Sequence, residues 1–136
     1  MAPDRASDAA GTPAVRVLLV DDEEVFRETL AKLLRRRGLA VATAESGEQA
    51  ISHLASTGCD VVVLDLRMPG IGGLETLRRI GELRPATRVI ILTGHGTVTA
   101  GLEAIGQLAF DFLLKPVAPE QLAEVIIAAA EGRPEG

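Results

Sequence analysis

The chain has 136 residues, 47% of them hydrophobic, which suits a single globular domain that can build a full core without disulfides or metals. Its net charge of -5 argues against a nucleic-acid binder of the basic-patch type, and its single cysteine, Cys59, excludes an internal disulfide and a cysteine-based metal site. No apolar run approaches the roughly 20 residues of a membrane span, and no apolar signal segment opens the chain, so we expect a cytoplasmic location.

Short aliphatic runs alternate with amphipathic stretches along the chain. A tail of Ala, Asp, Ser, Gly and Pro over residues 1–14 has no periodicity, and we predict that it is disordered. Beyond it, apolar runs typical of buried strands occupy residues 15–20, 39–43, 60–64, 88–92 and 110–114. A helical pattern follows each run, and the predicted helices begin near residues 25, 47, 72, 97 and 119. This alternation predicts an α/β fold in which helices cover both faces of a parallel sheet.

Local signals mark several ends of these helices. Gly38 follows the first helix and supplies a left-handed stop. Ser46, with Gln49 three residues later, forms a capping-box pattern at the start of the second helix. Pro119 is well placed in the first turn of the last helix.

The helical periodicity also assigns side chains to faces. In the first helix it places Phe26 toward the core and Arg27 toward solvent. In the third helix it places Leu74, Leu77 and Ile80 toward the core.

Most of the predicted strands end in residues that can do chemistry. The first strand ends in Asp21 and Asp22, the third in Asp65, the fourth in Thr93 and the fifth in Lys115. Parallel strands present their carboxyl ends on one edge of the sheet, where ligands bind in open α/β folds. We therefore expect these groups to converge, with the second strand at the edge of the sheet.

The converging groups are suited to moving a phosphoryl group. Three carboxylates in one crevice repel each other, and a hard divalent cation such as Mg²⁺ relieves that repulsion while keeping positions open for water and phosphate. Asp65 can then attack phosphorus as a nucleophile and form an acyl phosphate. The cation, the Lys115 ammonium and the Thr93 hydroxyl can each hold one phosphoryl oxygen.

These residues give the chain a resemblance to a response-regulator receiver domain of two-component signalling. The matching text lies at residues 20–23, 63–70, 92–96 and 111–116, in order and within residues 15–131. The resemblance implies a flavodoxin-like (βα)5 three-layer sandwich with a five-stranded parallel sheet of order 2-1-3-4-5. It places the receiver domain at 15–131, between the disordered N-terminal tail and a C-terminal tail at 132–136.

The resemblance also assigns a metal site and a phosphoacceptor. Asp65 would be the phosphoacceptor. Asp22 and Asp65 would ligate Mg²⁺ directly, together with the backbone carbonyl of Arg67. Asp21 would act on the metal mainly through water.

Other residues of the family pattern would contact the phosphoryl group or change position when Asp65 is phosphorylated. Lys115 would contact the phosphoryl group, and the Lys115–Pro116 peptide bond would be cis, as only X-Pro bonds commonly are. Thr93 and Phe112 would be the switch pair, with Thr93 drawn inward and Phe112 rotating into the vacated space.

A phosphorylation-dependent switch is the function that the resemblance implies. A histidine kinase or a phosphotransfer protein would donate to Asp65, and the change would reach the face formed by the fourth helix, the fifth strand and the fifth helix. That face would form a homodimer or bind a downstream protein, without direct contact to nucleic acid or membrane. The chain would not be an enzyme beyond catalysing its own phosphorylation and dephosphorylation.

The extent of the chain leaves two forms of this regulator open. The chain ends soon after the last predicted helix, so we expect no output domain. It would be a single-domain regulator or the receiver of a larger protein. Residues 92–98 resemble receivers attached to enhancer-binding transcription activators, which favours the second form.

Two other functions compete with a phosphorylated switch. A phosphatase of the haloacid-dehalogenase type would need a second Asp two residues after Asp65, where this chain has Arg67. A phosphorylation-independent interaction module would not need the acidic pair, Thr93 and Lys115, all of which are present.

A few positions have more than one interpretation. Arg67 and His95 lie near the crevice and either tune the lifetime of the phosphoryl group or have no role. Leu108 stands where family members often have Gly, and it either alters that turn or offers apolar surface to a partner. Gly101 and Gly106 interrupt the predicted helix over 97–106, which predicts marginal stability for that helix.

Overall fold

The computed structural model of the chain describes residues 14–68, 70–94 and 109–132. The strands are β1 Arg16–Val20, β2 Ala40–Ala44, β3 Val61–Leu64, β4 Arg88–Thr93 and β5 Asp111–Leu114. The helices, numbered within those ranges, are α1 Glu24–Arg36, α2 Gly47–Ser56, α3 Gly72–Leu83 and α4 Pro119–Glu131. The predicted helix over 97–106 lies outside the described residues, together with His95 and Leu108. So do residues 1–13 of the tail predicted over 1–14 and residues 133–136 of the tail predicted over 132–136.

All five of these strands pair in parallel in the order β2-β1-β3-β4-β5. The predicted fold class and sheet order are therefore confirmed, and β2 lies at an edge. Backbone hydrogen bonds continue the ladders past the strand ends. The amide of Asp65 donates to the Val20 carbonyl at 3.1 Å, and the amide of Lys115 donates to the Thr93 carbonyl at 2.9 Å. These bonds fix the position of the residues at the carboxyl edge relative to the sheet.

The core forms two apolar layers, one on each face of the sheet. Alternate residues of each strand point to opposite faces, so Leu19 belongs to one layer and Leu18 to the other. Helices α1 and α4 cover the first layer, while α2 and α3 cover the second. None of the helices in the described ranges is both long and apolar enough to cross a membrane.

The predicted helix ends are largely confirmed. Gly38 has a φ of 93°, the left-handed conformation that ends α1. The Ser46 hydroxyl accepts a hydrogen bond from the Gln49 amide at 3.0 Å, as an N-cap should. The Gln49 side chain, however, accepts from the Glu45 amide rather than from that of Ser46.

Two predicted side-chain orientations are wrong. Arg27 is buried because its guanidinium donates to the Asp21 carbonyl at 2.9 Å and to the Glu28 carboxylate at 2.9 Å. Leu74 is 47% exposed, because the buried stripe of α3 runs one position away from it, through Gly73, Thr76, Leu77 and Ile80. Thr76 can occupy that stripe because its hydroxyl donates to the Gly72 carbonyl at 2.6 Å.

The close approach of α3 to the end of β3 gives a test of this packing. A Cβ at Gly73 would fall on the backbone of Leu66 and lie 2.7 Å from its carbonyl oxygen, whereas a Cβ at Gly81 on the same helix would meet nothing within 4 Å. We expect Gly73→Ala to lower the free energy of unfolding by about 2 kcal/mol. Gly81→Ala should raise it by roughly 0.5 to 1 kcal/mol, because alanine loses less backbone entropy. Urea unfolding followed by far-ultraviolet circular dichroism measures both, and equal effects of the two substitutions would contradict the packing.

Candidate functional site

The carboxyl edge of the sheet brings the predicted site residues together. Asp21 follows β1, Asp65 follows β3, Thr93 ends β4 and Lys115 follows β5. The first three are buried, with 1%, 5% and 3% of their surface exposed, and the Lys115 side chain is 17% exposed. Asp22 is exposed at the mouth of the same crevice.

Lys115 lies among three carboxylates. Its ammonium donates to Asp21 Oδ2 at 2.8 Å, to Glu23 Oε1 at 3.4 Å and to Asp65 Oδ2 at 3.4 Å. An ammonium has three N–H donors, so this set of acceptors can satisfy it fully. The sequence gap between Lys115 and Asp21 is 94 residues, so the fold as a whole creates this contact.

Asp65 is held by donors on both of its oxygens. Its Oδ1 accepts from the Thr93 hydroxyl at 2.7 Å and from the Arg67 amide at 3.0 Å. Its Oδ2 faces the Lys115 ammonium. The hydroxyl and the ammonium therefore already lie beside the carboxylate that the sequence identifies as the candidate nucleophile.

Asp21 is anchored from the backbone as well as through its side chain. Its amide donates to the Ala44 carbonyl at 3.1 Å, and its carbonyl accepts from Arg27. Its Oδ1 accepts from the Glu23 amide at 2.9 Å. The buried arginine that the periodicity misassigned thus helps to hold the turn that carries the acidic pair.

The three aspartates fit a single hard cation. Asp21, Asp22 and Asp65 each offer a carboxylate oxygen, and these atoms lie within 4.8 Å of one another. Carboxylate oxygens are the ligands that Mg²⁺ prefers. The adjacent cleft has a volume of about 370 Å³ and is lined by Asp22, Glu23, Asp65, Arg67, Gly94 and Lys115. It is large enough for a partly hydrated ion beside a phosphoryl group.

Burial and neighbouring charges shift the pKa values of two groups in the crevice, Asp21 and Lys115. Burial raises the pKa of Asp21, and the charge of Asp65 adds to this, although hydrogen bonds from Lys115 and the Glu23 amide act in the opposite direction. Burial alone would lower the pKa of Lys115. The hydrogen bond to Asp21 and the charges of Asp65, Asp21 and Glu23 together outweigh that effect and raise the pKa of the ammonium. The site therefore holds its lysine charged while the ionised form of Asp21 is disfavoured.

The remaining predicted positions lie around this centre. Phe112 is half-buried and packs against the apolar layer beneath α2 and α3, and its backbone pairs with Ile91 in β4. The Lys115–Pro116 bond is cis, as predicted. His95 falls outside the described residues.

Sequence reasoning missed two neighbours of Lys115. Glu23 enters the sequence motifs only within the matching text of residues 20–23, and the periodicity places Phe26 only as a core-facing residue of the first helix. The ring of Phe26 lies 4.3 Å from Lys115 Nζ. A periodicity argument shows that Phe26 faces inward, but it cannot show that the end of β5 brings a lysine to it.

Comparison with known proteins decides the family. The family model of the response regulator receiver domain matches residues 17–127. The chain belongs to the response regulator receiver family. The resemblance inferred from the sequence motifs is thereby confirmed.

Curated relatives of this receiver include transcriptional regulators. FixJ of Rhizobium meliloti (strain 1021) is 39% identical over 115 residues, which are 85% of this chain and 56% of FixJ. The C4-dicarboxylate transport regulator DctD of the same strain is 34% identical over 120 residues, 88% of this chain and 26% of DctD. The DNA-binding regulator NtrC of Salmonella typhimurium is 41% identical over 100 residues, 74% of this chain and 21% of NtrC. The receiver thus spans between 21% and 56% of the length of these relatives.

Solved structures show the same fold. A response regulator receiver domain protein from Clostridium thermocellum superposes with a TM-score of 0.80 at 34% identity, covering 86% of this chain and 94% of that one. The receiver domain of NtrX from Brucella abortus gives a TM-score of 0.79 at 30% identity, covering 85% and 98% of the two chains.

The raised pKa of Asp21 predicts a stability change with a defined pH dependence. A carboxyl whose pKa is higher in the folded state destabilises that state when it is ionised, and the penalty disappears as the pH falls through the folded pKa toward the ordinary value of 3.8. In buffer with a metal chelator, we expect Asp21→Asn to be more stable than the wild type at pH 7, with a gain that declines in acid. Urea unfolding between pH 7 and pH 3 measures the difference in the free energy of unfolding between the two proteins.

The matched control is Asp22→Asn, which removes the same charge from an exposed position of the same crevice. Asp22→Asn should change the free energy of unfolding by no more than about 0.5 kcal/mol. A loss of stability in Asp21→Asn at pH 7, or a gain that persists at pH 3, would contradict the assignment of burial as the dominant effect.

Proposed function

We propose that this receiver is a phosphorylation-dependent signalling switch that accepts a phosphoryl group on Asp65 with the help of Mg²⁺. The observation that carries the proposal is the convergence on one buried carboxylate of a hydroxyl, from Thr93 at 2.7 Å, and an ammonium, from Lys115 at 3.4 Å. Two further aspartates with oxygens within 4.8 Å complete the set. Because these groups surround the same carboxylate, they support nucleophilic attack by Asp65 better together than any one of them would alone.

Each group has a chemical task in that reaction. An oxygen of Asp65 attacks phosphorus, the new O–P bond forms, and the bond from phosphorus to the donor breaks. The donor would be the phosphohistidine of a histidine kinase or of a phosphotransfer protein. The Lys115 ammonium stabilises charge on one phosphoryl oxygen, and the Thr93 hydroxyl can donate to another.

A divalent cation belongs to the same site. Asp22, Asp65 and the Arg67 carbonyl would hold Mg²⁺, and Asp21 would act through water. When bound, the ion supplies positive charge that offsets the carboxylates and the phosphoryl oxygens. The chain's own contribution is to hold the carboxylates in place, through the Arg67 amide on Asp65 and the Glu23 amide on Asp21.

Phosphorylation would act on the rest of the receiver through the end of β4. The Thr93 hydroxyl would leave Asp65 for the phosphoryl group. Phe112 in the neighbouring strand, the second residue of the switch pair, would then rotate into the space that Thr93 vacates. Because the Thr93 carbonyl accepts from the Lys115 amide, movement of Thr93 pulls on the end of β5. The face that includes β5, α4 and the predicted 97–106 helix would then change its affinity for a second copy or for a downstream protein.

The proposal also covers where the protein acts and what it controls. The chain would act in the cytoplasm as a regulator, with no enzymatic activity beyond its own phosphorylation and dephosphorylation. Since the curated relatives are transcriptional regulators, the output of the full protein would be control of transcription.

Intact-mass measurement tests the phosphoacceptor. After incubation with a small phosphodonor and Mg²⁺, we expect wild-type protein to gain one phosphoryl group and Asp65→Asn to gain none. Asp111→Asn, which changes an exposed aspartate at the start of β5, should be phosphorylated like the wild type. A wild type that gains no phosphoryl group, or an adduct that survives Asp65→Asn, would refute the proposal.

Thermal unfolding with and without Mg²⁺ tests the metal site separately. An ion that binds only the folded state stabilises it by RT ln(1 + [L]/Kd), or about 1.4 kcal/mol at ten times Kd. We expect this gain in the wild type and its loss in Asp22→Asn, at constant ionic strength. An equal response of the two proteins to Mg²⁺ would remove Asp22 from the proposed site.

A further inference from the structure

We propose that Phe26 is a positioning residue for Lys115, and that its ring holds the ammonium in the crevice beside Asp65. The contact itself does not depend on the proposed function, whereas its consequence for phosphorylation does. Phe26 belongs to α1, and its side chain has no ionisable or hydrogen-bonding group. It can therefore affect the chemistry at Asp65 only through Lys115.

The geometry is that of a cation–π contact. Lys115 Nζ lies over the Phe26 ring at 4.3 Å from the centroid, inside the limit of about 6 Å for such contacts. The side chain of Lys115 is 17% exposed, so the contact is partly shielded from water. A partly desolvated cation interacts more strongly with a ring than an exposed one does.

Lys115 needs such a constraint because its acceptors compete. The ammonium is at the end of a flexible four-carbon stem, and its nearest acceptor is Asp21 at 2.8 Å rather than Asp65 at 3.4 Å. Glu23, also at 3.4 Å, has a carboxylate that is 66% exposed. An ammonium without a further contact could follow Glu23 toward solvent, which would remove it from Asp65. The ring of Phe26, three residues beyond Glu23, adds attraction on the side of α1.

Packing alone does not require an aromatic residue at this position. Phe26 is half-buried and packs against the apolar layer beneath α1 and α4, alongside Leu30 and Val117. An aliphatic side chain would fill such a place, but it would not attract a cation as an aromatic face does. The aromatic identity of Phe26 is therefore explained by Lys115 rather than by the core.

The composition of the chain makes the contact directly observable by NMR. There are two lysines, Lys32 and Lys115, and three phenylalanines, so lysine labelled with ¹³C gives two sets of signals. The Phe26 ring current should shift the ε-methylene protons of Lys115 upfield and separate them, because the side chain is held. Lys32 is exposed on α1 and serves as the internal reference.

The variants separate positioning from a general loss of an aromatic ring. Phe26→Leu should abolish the upfield shift, while Phe26→Tyr should keep it. Phe110→Leu is the matched control, since that ring lies over Arg88 at 5.6 Å, at the start of β5 rather than at its end. Circular dichroism of each variant establishes that it is folded. A Lys115 signal in Phe26→Leu that matches the wild type would overturn the proposal.

The rate of phosphorylation tests the consequence of the contact. At limiting phosphodonor and saturating Mg²⁺, we expect Phe26→Leu to gain its phosphoryl group roughly threefold to tenfold more slowly than the wild type. Phe26→Tyr and Phe110→Leu should react at close to the wild-type rate. A Phe26→Leu variant as fast as the wild type, or a Phe26→Tyr variant as slow as Phe26→Leu, would show that the ring does not position the lysine for this reaction. If the wild type itself is not phosphorylated, the proposed function fails, and the ring-current shift still decides whether Phe26 holds Lys115.

Discussion

One ammonium group among three carboxylates is the interaction on which the crevice depends. Asp21 and Asp65 are both buried, and burying a carboxylate is costly unless it is paired and hydrogen-bonded. Lys115 provides the positive charge for both, while the amides of Glu23 and Arg67 and the hydroxyl of Thr93 supply the neutral donors. The balance is incomplete, because the pKa of Asp21 is still raised by burial and by the charge of Asp65. A site with this residual imbalance is suited to bind a further cation.

The parallel sheet creates that interaction from residues far apart in sequence. β1, β3, β4 and β5 are consecutive neighbours, so their carboxyl ends lie side by side on one edge. The ladders extend by one residue beyond the strands at Asp65 and at Lys115, which makes both positions part of the rigid sheet rather than of a loop. Precise placement of the reacting groups therefore comes from backbone hydrogen bonds, and the loops contribute the exposed lining of the cleft.

Much of this arrangement could be predicted from the sequence because it depends on repetition. Runs such as 61–64 are apolar throughout, which indicates burial on both faces, and the polar residues at the ends of most of these runs mark the carboxyl edge. The order of the strands could not be predicted from these runs. Nothing in the apolar pattern distinguishes 2-1-3-4-5 from other parallel arrangements, and the prediction rested on the family resemblance.

The sequence was least informative where a side chain finds a partner that is distant along the chain. The helical periodicity places Arg27 toward solvent, yet the Asp21 carbonyl gives its guanidinium a buried acceptor. The same periodicity places Leu74 in the buried stripe of α3, yet Thr76 lies in that stripe because its hydroxyl donates to the Gly72 carbonyl of the same helix. The contact of Phe26 with Lys115 belongs to the same class, since α1 and the end of β5 meet only in the folded chain.

The position of Thr93 links the chemistry of the crevice to the sheet. Its hydroxyl is bonded to Asp65 while its carbonyl accepts from the Lys115 amide, so a single residue contacts both the candidate nucleophile and the segment that carries the ammonium. A phosphoryl group on Asp65 would compete for the hydroxyl and for the ammonium at the same time. Under the proposed function, both strands would therefore respond to one covalent change. If Phe26 holds the ammonium in place, the lysine stays fixed and Thr93 is the part that moves, which would direct the response toward β4 and the chain that follows it.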